Sequence, residues 1–175
     1  MKKCKLLITD LDGTLIETLS GDTFPKGIWD MKLKLYVFEA IKNYAPDDIL
    51  IISNQGGIEK GFVDKEMFEY KFDYISSALE DYTNISVYNF YCDNNDKDNI
   101  NRKPNTGMID RYMDYIKFIN DNVDEENKII YDTIMMIGDA SGKEGQFSDS
   151  DKKTAENFGC EYMDVDDFVY KYNNR

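Results

Sequence analysis

Leu6-Leu7-Ile8-Thr9-Asp10-Leu11-Asp12-Gly13-Thr14-Leu15 is the stretch whose reading decides the fold. Leu6-Leu7-Ile8 is an unbroken apolar run, the mark of a strand covered on both faces in a parallel sheet. Directly after it come two carboxylates one residue apart. A tight turn brings both into one small volume, where ionised carboxylates repel unless a cation compensates them. Mg2+ suits such a set of carboxylate and carbonyl oxygens. Gly13 permits an unusual dihedral or a close backbone approach. The N–H groups of such a turn form a concavity for an anion.

Further apolar runs follow outward from this stretch. Ile49-Leu50-Ile51-Ile52, the segment from Ile85 to Tyr91, and Ile134-Met135-Met136-Ile137 read as strands, with a short one near 160–163. Helical spacing covers 31–44, with Leu35, Phe38, Ile41 and Tyr44 near one face. It recurs over 65–80, capped by Asp64, with Met67, Phe68, Phe72, Ile75 and Leu79 inside. Further helices are expected from about Thr106 to Ile119, over 151–158 stopped by Gly159, and over 165–172. Residues 15–30 and 93–101 read as loops, and 121–132 as an acidic connection. This alternation predicts a single domain over 1–175 of the α/β class: a three-layer, Rossmann-like parallel sheet of about five strands with helices on both faces. The short connections after the first two strands leave no room for a large cap domain. Ligands in such sheets bind beyond the carboxyl ends of the strands. Asp10 and Asp12, Ser53-Asn54-Gln55 and Asp139 all fall there.

Composition narrows the function classes. The chain carries 21 basic against 34 acidic residues, a formal net charge of −13. The imbalance deepens along the chain, from eight basic against nine acidic over 1–60 to six against fourteen over 121–175. A uniformly basic nucleic-acid coat is excluded. There is no histidine, which excludes Ser-His-Asp triads, histidine phosphotransfer and imidazole-bound zinc. Cys4, Cys92 and Cys160 form no C-x2-C pair, and none has an arginine six residues later. They read as reduced, mostly buried thiols. The apolar run near the amino end is too short for a signal peptide. No segment approaches the ~18–20 apolar residues of a membrane span. A cytoplasmic location is the expectation.

Ser53 and Asn54 offer a hydroxyl and an amide at a strand-to-loop junction, with Gly56-Gly57 following. These are phosphate-binding groups. Lys103 adds a positive charge ahead of a helix. A carboxylate nucleophile needs its anionic substrate neutralised before attack, which Mg2+ and Lys103 would supply. Carboxylates forming aspartyl-phosphate are an established covalent strategy. Each signal taken alone is an ordinary turn or surface residue; four in order, each at a strand end or helix start, are not.

These residues resemble the haloacid dehalogenase superfamily of Mg2+-dependent phosphatases. The resemblance rests on Asp10-Leu11-Asp12-Gly13-Thr14-Leu15, Ser53-Asn54-Gln55, Arg102-Lys103-Pro104-Asn105-Thr106-Gly107-Met108, and Gly138-Asp139 with Asp151. Within it, Thr18-Leu19-Ser20-Gly21-Asp22-Thr23-Phe24-Pro25, Gly138-Asp139-Ala140-Ser141-Gly142-Lys143, and Phe147-Ser148 with Asp151, Ala155, Asn157 and Gly159 are similar to the polynucleotide 3′-phosphatase group. The resemblance implies Asp10 as nucleophile and Asp12 as general acid and then base. It implies Mg2+ on Asp10, the backbone carbonyl of Asp12, and Asp139. Leu11, Ser53, Asn54, Gln55 and Arg102 would bind substrate and Lys103 would stabilise the intermediate. Thr14 and Asp151 would support, with Asp149 a less well aligned candidate for the work of Asp151. The implied substrate is a phosphate monoester, with a nucleic-acid 3′ end in DNA end processing and repair as the leading reading. The alternatives are a small sugar, histidinol or nucleotide phosphate, or a non-catalytic binding module on the same fold. Lys26, Lys60, Arg102, Lys103 and Lys143 could guide a few phosphates, and Trp29 either stacks a base or belongs to the core. Heptose-phosphatase relatives often carry a Cys/His zinc loop; residues 92–101 hold only Cys92, so no zinc is expected. No G-x4-G-K-[ST] occurs, so no kinase activity is expected from this chain.

Overall fold

The computed structural model describes residues 1–22, 25, 27–146 and 148–174. Five strands form one parallel sheet: β1 (Lys2–Thr9), β4 (Asp48–Asn54), β5 (Ser86–Cys92), β6 (Ile129–Gly138) and β7 (Glu161–Asp164), in the order β5-β4-β1-β6-β7. The alternation within β1 divides the core. Leu7 points to one face with Ile49, Ile51, Met135 and Ile137, against α1 (Leu35–Tyr44), α2 (Lys65–Thr83) and α5 (Val165–Asn173). Leu6 and Ile8 point to the other with Leu50, Ile52 and Met136, against α3 (Gly107–Asp121) and α4 (Ser150–Phe158). The three-layer expectation holds, because the central strands are apolar on both faces.

Some boundaries and faces differ from the sequence reading. Residues 15–30 are not all loop: β2 (Ile16–Glu17) pairs antiparallel with β3 (Lys32–Leu33), closing a hairpin between β1 and α1. The expected acidic connection over 121–132 ends early. After one 3-10 turn at Glu125–Asn127, β6 starts at Ile129 and pairs Ile129, Ile130 and Tyr131 with Lys2, Lys3 and Cys4. The register slips between Cys4 and Lys5, and this irregularity obscures the strand pattern in the sequence. On α1, Leu35 is exposed and Val37 takes the inward place. On α2, Met67 is exposed; its backbone N–H donates to the capping carboxylate of Asp64 at 2.9 Å. The start of α3 agrees with the reading, although the Thr106 hydroxyl bonds Asp110 Oδ2 at 2.8 Å instead of capping the helix.

Cys4, Cys92 and Cys160 are free thiols, the first two buried. No described helix is long and apolar enough to cross a membrane. Trp29 is 76% exposed, so the core reading for it is corrected.

Candidate active site

β1, β4 and β6 end side by side, and each delivers polar groups to the same edge. Asp10 leaves β1 with its carboxylate buried. One oxygen pairs with the Lys103 ammonium and the other accepts from the Thr14 hydroxyl at 3.1 Å. Lys103 also donates to Asp151 Oδ1 at 2.8 Å, while Asp151 Oδ2 accepts from the backbone N–H of Ala140 at 3.1 Å. Asp151 is buried; Asp149 lies on the surface, paired with Lys153 at 2.7 Å. Of the two candidates for supporting Lys103, only Asp151 reaches it.

Asp139 completes an acidic group: Asp10, Asp139 and Asp151 each offer an oxygen, all within 4.8 Å of one another. Burial first, then Asp151 and Asp139, pushes Asp10 up to about 8 against the pull of Lys103. Burial and Asp151 likewise push Asp139 up to about 6. Burial works against the charge on Lys103, but Asp10 and Asp151 outweigh it and hold the ammonium above its ordinary range. Two buried carboxylates and the half-buried Asp139 around one ammonium leave an excess of negative charge. The donor set is all oxygen, so a hard divalent cation fits it. The Asp12 carboxylate is not part of this cluster.

Asp12 turns the other way, with 42% of its side chain exposed. Gln55 Nε2 donates to its Oδ2 at 2.6 Å and to Ser53 Oγ at 2.8 Å, tying the ends of β1 and β4 together. Asn54 accepts from the Lys103 N–H at 2.9 Å and donates to the Lys103 carbonyl at 3.0 Å. Its amide therefore braces the lysine's main chain. Arg102 donates to the Asn94 carbonyl at 3.1 Å, back into its own loop. The Leu11 side chain is fully buried in the core, which leaves only its main chain for a substrate. Of the five lysines and arginines suggested as phosphate guides, Lys143 is paired with Asp164 at 3.3 Å and Asp167 at 2.8 Å. Lys60 is exposed and Lys26 lies outside the described residues. Thr23, Phe24 and Phe147, which belong to the quoted resemblance, also lie outside them.

Two further lysines at this edge were not singled out in the sequence. Lys34, buried, donates to the Gly13 carbonyl at 2.7 Å and so pins the turn after Asp12. Lys71 comes from α2, with its ammonium 3.7 Å from Asp12 Oδ1. Its signal in the sequence is its place: three after Phe68 and four before Ile75, it falls on the apolar stripe of its helix.

The family described as "Polynucleotide kinase 3 phosphatase" matches residues 5–169. The chain belongs to this family. It is 33% identical over 178 residues to the bifunctional polynucleotide phosphatase/kinase of Schizosaccharomyces pombe, a match that covers 96% of this chain and 38% of that protein. The chain thus spans less than half the length of that relative. A D-glycero-D-manno-heptose-1,7-bisphosphate 7-phosphatase assignment in Thermoplasma volcanium is 24% identical over 82% of this chain and 91% of that one. Among solved structures, the D,D-heptose 1,7-bisphosphate phosphatase of B. bronchiseptica, complexed with magnesium and phosphate, superposes with a TM-score of 0.58 at 20% identity, over 97% of this chain and 98% of that one. A Mesorhizobium loti protein described as a HAD-like phosphatase gives 0.62 at 18% identity, over 91% and 71%. The fold is therefore HAD-like, and the family makes the chain a HAD-type phosphatase.

Proposed function

We propose that the chain is a Mg2+-dependent phosphomonoesterase that removes 3′-phosphates from polynucleotide ends through a phosphorylated Asp10. The observation that carries this reading is the constellation of buried Asp10, Lys103 and Asp151 with the half-buried Asp139, and Asp12 beside it and open to solvent.

Asp10 attacks phosphorus, and the bond from phosphorus to the leaving oxygen breaks. Asp12 gives its proton to that oxygen, which leaves as an alcohol. Asp12, now a base, takes a proton from water as the water oxygen attacks the phosphoryl-Asp10, and inorganic phosphate departs. Gln55 holds Asp12 in place for both halves. Lys103, fixed by Asp151 and by the grip of Asn54 on its main chain, faces the phosphoryl charge as it spreads. Ser53, Gln55, Arg102 and the Leu11 main chain are the groups for the phosphoryl oxygens, with Thr14 orienting Asp10. A divalent cation would be held by Asp10, Asp139 and the Asp12 carbonyl, and would supply charge neutralisation at the phosphoryl group. Trp29 is exposed and offers a face on which a base can stack.

The second reading, a small phosphate monoester as substrate, is favoured by the net charge of −13. A panel of 3′-phosphorylated DNA, 5′-phosphorylated DNA, mononucleotides and sugar phosphates, assayed with Mg2+, separates the two. Release of phosphate from the 3′ end is expected. No turnover there, beside brisk turnover of a sugar phosphate, overturns the polynucleotide reading. Asp10→Asn is expected to abolish turnover while the circular dichroism spectrum is retained; full activity in that variant overturns the nucleophile assignment.

A further inference from the structure

Among the described residues three lysines are buried: Lys34, Lys71 and Lys103. Lys103 is engaged by two carboxylates and Lys34 by the Gly13 carbonyl. Lys71 differs. Its side chain is 6% exposed, and its ammonium makes no hydrogen bond among the described residues; its single ion pair is with Asp12 Oδ1 at 3.7 Å. It occupies an apolar-stripe position on α2, beside Phe68, Phe72 and Ile75. A charge placed there is costly unless something compensates it, and local rules are broken in this way chiefly at functional sites. Its three donors face one carboxylate oxygen, Asp12 Oδ1, which lies beyond hydrogen-bond distance at 3.7 Å; that leaves them free for an anion supplied by the ligand.

The position of Lys71 says which anion. In the mechanism proposed above Asp12 faces the leaving oxygen, and Gln55 and Lys71 each stand next to a different oxygen of its carboxyl. A proton-transfer distance of about 3 Å on one side of that carboxyl and 3.7 Å on the other keep the ammonium close to the leaving group. Lys103 stands at Asp10, on the attacking side of the phosphoryl, and Lys71 stands at Asp12, on the leaving side, so Lys71 is assigned to the leaving group. In a 3′-phosphorylated nucleotide the leaving group is a sugar whose nearest anion is its own 5′-phosphate, one ring away from the leaving oxygen. We propose that Lys71 binds the 5′-phosphate of the terminal nucleotide, making a nucleoside 3′,5′-bisphosphate unit, free or at a strand end, the minimal recognised substrate. This rests on the polynucleotide reading above and names its specificity.

The test compares a nucleoside 3′,5′-bisphosphate with the matching 3′-monophosphate, in wild type, Lys71→Met and Lys71→Arg. Wild type is expected to favour the bisphosphate by roughly tenfold or more in kcat/KM, carried by KM. Lys71→Met is expected to bring that ratio close to one, and Lys71→Arg to restore part of it. Equal use of the two nucleotides by wild type overturns the proposal whatever the variants do. A Lys71→Met enzyme that loses the same factor on both nucleotides also overturns it, because that is how a merely structural partner of Asp12 would behave. Turnover of neither nucleotide nor of 3′-phosphorylated DNA by wild type, beside brisk hydrolysis of a sugar phosphate, is a separate failure: it removes the polynucleotide reading itself.

Discussion

Gly13 carries two constraints. Its φ is +85°, and a Cβ at this position would run into the Asp139 carboxylate. The left-handed backbone alone costs a non-glycine residue roughly 1–3 kcal/mol, and moving Asp139 would open the acidic cluster. Gly13→Ala is therefore expected to lower stability by that amount in urea titration. It is also expected to cut kcat on the order of 100-fold, the effect of about an ångström of misplacement at a reacting centre. The acidic cluster gives a second expectation. Asp10 at about 8 and Asp139 at about 6 are both raised by burial and by their carboxylate neighbours. A carboxyl raised in the folded state binds a proton there that the unfolded chain has already lost. The metal-free protein therefore loses stability as pH rises from about 4 through those values. A cation at the cluster must displace those protons, so its stabilisation grows with pH. The rise in Tm on adding Mg2+ is expected to be larger at pH 8 than at pH 6, and a shift that shrinks with pH would contradict the ligand set. At this scale Asp10, Asp12 and Asp139 were legible in the sequence because each interrupts or follows an apolar run, where a polar residue stands out, and Lys103 because it stands just ahead of a helix. Lys34 was not, and Lys71 left only its place on the apolar stripe of α2. Their meaning depends on which element packs over the turn, and chain order does not carry that.

Elements were legible where their pattern is regular and local. The apolar centres of β1 and β4 and the Asp64 cap of α2 are features of short stretches, and the structure has them in place. The β2–β3 hairpin was not visible, because arms of two residues have no periodicity, and the early turns of β6 are hidden by the register slip opposite Cys4 and Lys5. The loop between β6 and α4 is another case where long-range contacts decide. It is anchored on Asp164, at the far end of β7: Ser141 Oγ donates to Asp164 Oδ2 at 2.9 Å and Gln146 Nε2 to the same oxygen at 2.7 Å. Burial raises the Asp164 carboxyl, but these hydrogen bonds outweigh it and hold it below the usual carboxylate range. A depressed carboxyl contributes stability above its unfolded value of about 3.9, and that contribution is lost as pH falls through the folded value. Asp164→Asn is expected to cost about 1–2 kcal/mol at pH 7. The gap between its urea midpoint and that of wild type should close as the pH is taken below 4. A gap that stays constant from pH 7 to pH 3 would show that the loop does not depend on the ionised carboxylate.

Over the whole molecule the question is how a chain of net charge −13 would handle the polyanion of the proposed function. Affinity for nucleic acid comes largely from counterions released as lysines and arginines neutralise phosphates. Several of this chain's surface cations are already paired within it. Lys143 is neutralised by Asp164 and Asp167, Lys65 by Asp93, and Lys32 by Glu17. Of the cations at the strand ends, Lys103 pairs with Asp10 and Lys71 with Asp12, and on the function proposed above both would face the terminal nucleotide. Binding should therefore involve about one or two phosphates outside the reacting group. For single strands each neutralised phosphate contributes a slope of about −0.7 in log affinity against log salt. Raising salt from roughly 50 to 200 mM should then raise KM for a 3′-phosphorylated oligonucleotide only about three- to sevenfold. Screening of the chain's own negative field acts in the opposite direction and makes the dependence shallower still. KM should also change little once the oligonucleotide exceeds a few residues, since added phosphates meet an acidic surface. A rise of about 300-fold or more, of the order expected for six or more contacts at that slope, or a KM that keeps falling with length, would mean that this surface carries a basic track.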